Sequence, residues 1–347
     1  MKLRRKTKMS RITSKIFLTI LILASSTITA YSQQYVIKFA TVAPEGTTPM
    51  NVMKEYDAAV RKESGGRLGF KFYPGGVAGD EKDVLRKIRI GQMQAGGFTG
   101  VGLGQVAPEV RILDTPFLFH NTAEVDYIYN KFTPEFSQDF EQGGFVFLGW
   151  AEVGFVYVFT QKPIYSVEDM KDVKAWMWEG DPIAEASFKV LKLAPIPLSI
   201  TDVNTSLQTG MINCVYSPPY EIIPLQWFTK VKYMLDVPLS NSSGAVLVSR
   251  KFFDSLPQDL QQILLKDGGI YLSKLTQLGR EDNQKALKTL ESKGITITHP
   301  KSSSEVSYYY QTGEEARQML VGKLYSADLL HRVESALEQY RKDNPGK

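Results

Sequence analysis

Cysteine is almost absent from this chain. Cys214 stands alone, so an intramolecular disulfide is excluded, and beside Val215 it reads as a small buried hydrophobe rather than a nucleophile. Histidine is nearly as scarce: His120, His299 and His331 lie far apart without ligand spacing, and no CxxC supplements them, so no metal site is expected. The GxSxG, Walker A and HExxH patterns are all missing. The run Gly96-Gly97-Phe98-Thr99-Gly100-Val101-Gly102 is glycine-rich, yet it lacks the Lys and Ser/Thr of a phosphate loop and the glycine spacing of a dinucleotide site. It reads as a strand leading into a tight turn at a domain interface. With no catalytic constellation in view, binding is expected rather than catalysis, and no cofactor is called for.

Basic residues crowd the start. Lys2, Arg4, Arg5, Lys6, Lys8, Arg11 and Lys15 precede an apolar stretch from Ile16 to Ala24, and Ala30 and Ser32 then offer an A-x-S cleavage pattern before Gln33. This is the charged, apolar and small-residue order of a secretory signal peptide, and the apolar run is about half the roughly 20 residues that a spanning helix needs. Residues 1–32 are therefore expected to be removed, giving a periplasmic protein. Those seven cations account for the formal charge of +4; without them it is near −3, so the apparent basicity does not point to nucleic acid. About 315 residues then remain, more than one core comfortably organises, so two domains are expected.

Periodicity alternates between strand and helix. Tyr35–Ala40 reads as a strand, and Met50, Met53, Tyr56 and Val60 mark a helix over 48–63. A strand follows at Leu68–Phe72, then a helix capped by Asp80 that ends near Gly91, then an apolar segment at 93–99. A helix near 122–130, strands at 145–150 and 153–160, a strand at 173–177, a helix at 182–191, and a helix from Thr201 to Gly210 extend the order. From Leu256 the chain turns helical with a bend expected at Gly268-Gly269, followed by helical stretches at 282–292 and 327–337. The fold class is α/β.

Three segments carry a family resemblance. SGGRLGFKFYPGGVAGDEKDVLRKIRIGQMQ at 64–94, GWAEVGFVYVFTQKPIYSVEDMKDVKAWM at 149–177, and the stretch from Pro195 to Pro218 with SLQTGMINCVYSP are similar, in order and spacing, to the DctP-type solute-binding component of TRAP (tripartite ATP-independent periplasmic) transporters. The resemblance implies a two-lobed periplasmic binding protein fold with hinge strands and C-terminal helices. It divides the chain into lobe I, 33–153 plus about 242–282, and lobe II, about 154–241 plus 283–347. It also implies a small-molecule ligand and TRAP membrane permease subunits as partners.

The departures from that family pattern are chemical. The arginine that most members use to hold a substrate carboxylate aligns with Trp176; a second, present in some, falls at Phe155 or Val156; and the asparagine before the last proline corresponds to Ser217. A planar guanidinium grips a carboxylate by two parallel charge-assisted bonds, which none of these residues can make. A cleft without a cation would leave a carboxylate unpaired, so a hydrophobic or weakly charged ligand is expected. The candidate ligand-binding residues are Trp176, Trp178, Phe155, Val156, Tyr216, Ser217, Phe98 and Phe117. Glu179 and Asp181, just beyond the tryptophans, read first as solvated turn residues, with a hydroxyl or amine of the ligand as the alternative partner. The pattern resembles the subgroup that lacks the carboxylate-binding arginine and works with a periplasmic tetratricopeptide-repeat protein. The alternatives are a conventional organic-acid binder anchored by a residue outside the usual motif, and a periplasmic enzyme on a binding-protein scaffold.

Overall fold

A computed structural model describes residues 34–345. The expected signal peptide lies outside them. Eleven strands among the described residues form two main sheets and a two-stranded ribbon. The first sheet has the order β2-β1-β3-β10-β4, from β1 (Tyr35–Ala40), β2 (Leu68–Tyr73), β3 (Ala95–Thr99), β4 (Phe145–Trp150) and β10 (Gly244–Ser249). Strands β1, β2 and β3 are parallel, joined through α1 (Thr48–Glu63) and α2 (Glu81–Arg89), whereas β10 runs antiparallel between β3 and β4. The second sheet has the order β11-β9-β5-β8, from β5 (Gly154–Thr160), β8 (Cys214–Ser217), β9 (Tyr233–Ser242) and β11 (Thr296–Thr298). The ribbon pairs β6 (Trp176–Trp178) with β7 (Ile196–Leu198).

Each sheet anchors one lobe. The chain crosses between them at residues 151–153 and again at Ser243, where β9 of one sheet passes straight into β10 of the other. The third crossing is α9 (Gln258–Ser292). Its first half packs Leu260, Leu264, Leu272 and Leu275 under the first sheet, and Leu290 joins the core of the second. The strands β9 and β10 were not read from the sequence.

Local signals placed most helices correctly. Asp80 caps α2, its Oδ1 accepting from Glu81 N at 2.6 Å, and Gly210 ends α6 (Val203–Thr209) at φ 70°. Thr201 does not cap α6; it sits in a preceding 3-10 turn, Ile200–Asp202. The helix expected to stop near Asn130 continues as α4 (Thr122–Gln142) through Pro134. The missing proline N–H costs one ladder bond, but Phe136 and Phe140 beyond it are both buried, and burying two phenyl groups outweighs that loss. The Gly268-Gly269 pair does not interrupt the helix, since α9 runs on as a single 35-residue helix. A Cβ on Gly268 would stand 2.8 Å from the Leu148 carbonyl oxygen and 3.0 Å from the Tyr56 hydroxyl, so that glycine lets α9 approach β4 closely rather than turn.

The end of the chain is shared. Helix α10 (Ser303–Leu320) packs on α5 (Pro182–Val190), and α11 (Ala327–Asp343) lies on α4, burying Leu329, Leu330, Val333 and Leu337 with Phe132 and Phe136. The sequence division carried 283–347 with lobe II. Helix α11 covers the apolar face of α4, which extends past Pro134.

Candidate ligand-binding site

A cavity of about 280 Å³ opens between the lobes. Strand β3 and the loops after β1 form one wall, and β5, β6, β8 and β9 supply the other. Of the sequence candidates, Trp176, Trp178, Val156, Tyr216, Ser217, Phe98 and Phe117 line it together. Phe155 does not. Successive strand residues face opposite sides of the sheet, so with Val156 toward the cavity, Phe155 turns away and packs against the large core that includes Phe132 and Leu329.

The aromatic residues are fixed by one another. Trp176 stacks on Tyr216 with ring centroids 4.9 Å apart at 18°, meets the edge of Trp227 at 5.5 Å, and lies 5.8 Å from Trp178. Its indole N–H donates to the Leu198 carbonyl at 3.0 Å, and the Tyr216 hydroxyl accepts from Trp178 N at 3.1 Å. Burial holds the Tyr216 hydroxyl well above its ordinary pKa, so it stays a neutral donor and acceptor. Phe117 sits at φ 55°, a left-handed conformation that costs a bulky residue on the order of 1–3 kcal/mol. Its N–H donates to Leu239 O at 2.7 Å and its ring lies 5.1 Å from Tyr310, contacts that hold the strained backbone in place.

The expectation of a cleft without a cation is corrected. Arg111 lines the cavity and is the one basic residue in its wall among the described residues, against Glu81, Asp114, Glu152, Asp181 and Glu221. Its Nε donates to Asp114 at 2.9 Å and its Nη2 to Asp181 at 2.8 Å. Burial works against the guanidinium charge, but the carboxylates of Asp181 and Asp114 outweigh it and keep Arg111 above its ordinary pKa. Burial raises Asp114 despite Arg111 and the Ser243 N–H, which donates to it at 2.6 Å. Glu152 pairs with Arg280, outside the wall. No motif announces this cluster. The only sequence trace of it is the i, i+3 spacing of Arg111 and Asp114, and Asp181 follows 70 residues later.

The lobes meet around these groups. Asp80 accepts from the Trp178 indole at 3.2 Å, from Ser199 Oγ at 2.5 Å and from Ile200 N at 3.3 Å, and Tyr220 Oη accepts from Thr48 N at 2.9 Å. Glu179 is outside the cavity and pairs with Lys82, whereas Asp181 is buried within the wall. Among the described residues, the Asn241 Oδ1 and the Tyr309 hydroxyl, both buried in the wall, have no protein hydrogen-bond partner.

The glycine-rich run is explained by close approach. A Cβ on Gly100 would fall 1.8 Å from Asp114 Oδ2, and one on Gly102 would fall 2.6 Å from Glu81 Oε2. Glycines at these positions admit two buried carboxyl groups to the cleft wall. Glu81 accepts from Thr99 N at 2.8 Å and Gly102 N at 2.7 Å, yet burial dominates and pushes its pKa up to about 8. The folded protein therefore binds a proton at Glu81 that the unfolded chain releases near the ordinary carboxylate range. Stability from this group is full below about pH 4.5 and is lost as pH rises toward about 8. The melting temperature is expected to fall across that window, and Glu81→Gln to flatten the fall. An equal slope in the variant, measured by calorimetry, would place the titration elsewhere.

Two α/β lobes around an aromatic-walled cavity, joined by strands that pass from sheet to sheet, define a small-molecule binding protein. The chain belongs to the bacterial extracellular solute-binding protein family 7, whose family model matches residues 39–318. This is the TRAP-type solute-binding family, a class of transport proteins rather than enzymes. The chain is 24% identical over 287 residues to the 2,3-diketo-L-gulonate-binding periplasmic protein of Escherichia coli, covering 81% of this chain and 86% of that one. Its fold resembles a TRAP periplasmic solute-binding protein of Desulfovibrio salexigens with bound orotic acid, at TM-score 0.81 and 17% identity, covering 88% and 99% of the two chains. It also resembles one from Citrobacter koseri with bound D-glucuronate, at TM-score 0.79 and 21% identity, covering 87% and 98%.

Proposed function

We propose that this protein captures a small, hydrophobic or weakly charged solute between its lobes in the periplasm and delivers it to a TRAP-type membrane permease. The observation that carries the reading is the state of Arg111: the one cation of the cavity wall among the described residues already faces two protein carboxylates. An anionic solute entering this wall would meet an excess of acid. Trp176, Trp178, Tyr216, Phe98 and Phe117 supply apolar and ring surface instead, and Asn241 and Tyr309 offer a few polar atoms for orientation. Bound solute contacts both lobes, so it favours the closed form by its differential affinity. The reading extends to the subgroup that lacks the carboxylate-binding arginine and works with a periplasmic tetratricopeptide-repeat partner, and the apolar residues Trp176 and Val156 support it. The lobes are taken to divide near 153, 242 and 282, with α11 attached to the first.

The test is the native cargo. Protein purified from the periplasm without unfolding, then denatured, is expected to release an aromatic, alkyl or other weakly charged compound near one to one by mass spectrometry. Recovery of a dicarboxylate, or of a sugar acid such as the D-glucuronate bound in the Citrobacter koseri structure, would overturn the assignment.

A further inference from the structure

We infer that Asp181 is a carboxylate the protein supplies to its own cleft, and that by occupying the Arg111 guanidinium it sets this cleft against carboxylate ligands. The inference rests on the cavity being the solute site. Arg111 and Asp114 are partners within one short segment of the first lobe, whereas Asp181 reaches them from the second lobe, at the end of the turn after β6. All three side chains are less than a tenth exposed, so their charges are weakly screened by solvent. One guanidinium faces two carboxylates, and a ligand carboxylate would be a third. Without Asp181 the Arg111–Asp114 pair is neutral, and a buried guanidinium donor is left without its partner. A small carboxylate entering from solvent relieves that deficit.

Asp181 has a second task that must be kept separate. Its Oδ1 accepts from Ile183 N at 3.1 Å and caps α5, so its loss can act on the helix as well as on the cleft. Asp181→Ser retains a capping oxygen, and glycine is itself well tolerated at an N-cap, as in Asp181→Gly. Both open a carboxylate-sized space beside Arg111. A merely structural ion pair predicts loss of stability in these variants and nothing more. The inference predicts a gained response to anions.

The experiment compares wild type with Asp181→Ser and Asp181→Gly. Thermal melts are recorded in sodium acetate and in sodium chloride at equal ionic strength, and D-glucuronate is titrated by calorimetry. Acetate is expected to raise the melting temperature of the variants over chloride by several degrees without doing so for wild type. The variants are expected to bind D-glucuronate at least tenfold more tightly than wild type does. Folded variants that respond to both anions as wild type does overturn the inference. If a variant fails to fold in chloride, refolding yield should rise in acetate, and equal yields in the two salts also overturn it. Tight D-glucuronate binding by wild type itself would overturn this inference together with the weakly charged ligand, whereas variants that respond as wild type does, with a weakly charged native cargo, would overturn this inference alone.

Discussion

Truncation of Trp176 to alanine is expected to lower the free energy of unfolding by about 3–5 kcal/mol, the range for emptying a buried large aromatic site. The indole is 2% exposed and touches Tyr216, Trp178 and Trp227, so the surrounding rings cannot close the void without leaving their own positions. Its hydrogen bond to Leu198 O ties β6 to β7, which adds about 1 kcal/mol to the loss. Because the same ring lines the cavity, binding of the native cargo should fall at least tenfold in whatever fraction remains folded. Urea denaturation followed by tryptophan fluorescence measures the first effect, and titration of the recovered cargo measures the second. A loss under about 1 kcal/mol would show that the aromatic cluster does not pack as described. Intact stability with unchanged affinity would remove Trp176 from the site altogether.

Gly100→Ala is expected to cost about 2–5 kcal/mol, although alanine is the better helix former. The propensity gain is about 1 kcal/mol at most, in a helix, α3 (Gly100–Gly104), of only five residues. Against it stands a Cβ placed 1.8 Å from Asp114 Oδ2. Asp114 would have to move, and it holds both Arg111 Nε and the Ser243 N–H at the second crossing between sheets. Displacing it takes one of two carboxylate partners from a buried guanidinium and loosens the point where β9 becomes β10. Gly269→Ala is the control: nothing lies within 4 Å of its Cβ position in the middle of α9, so about 0.5–1 kcal/mol of stabilisation is expected there. Paired thermal melts of the two variants check both signs. If Gly100→Ala melts at or above the wild-type temperature, the Asp114 contact is not what excludes a side chain at that position.

Much of the architecture was legible because it is local. Met50, Met53, Tyr56 and Val60 recur at helical spacing, and α1 occupies the expected 48–63. Asp80 announced α2 by its capping chemistry, and the alternation in 145–150 and 153–160 placed β4 and β5 to within a residue. The misses have a common cause in packing. Pro134 and Gly268 look like breaks from their own propensities, but each helix continues because its apolar face meets a neighbour distant in sequence. Strands β9 and β10 went unread although they are the structural link between the sheets, since their identity depends on partners, β5 and β11 on one side, β3 and β4 on the other.

For the site, strand alternation by itself put Trp176 and Trp178 on one side of a strand, because successive side chains point to opposite faces. That apolar residues stand at the usual arginine positions followed from the family resemblance. Only the tertiary structure decided that Phe155 turns away, that the glycine run makes room for Glu81 and Asp114, and that Arg111 is present in the wall but already engaged by Asp181. Those facts are set by side chains meeting across the lobes, 70 residues apart in the case of Arg111 and Asp181, and Coulomb attraction between two buried groups leaves no periodic trace along the chain.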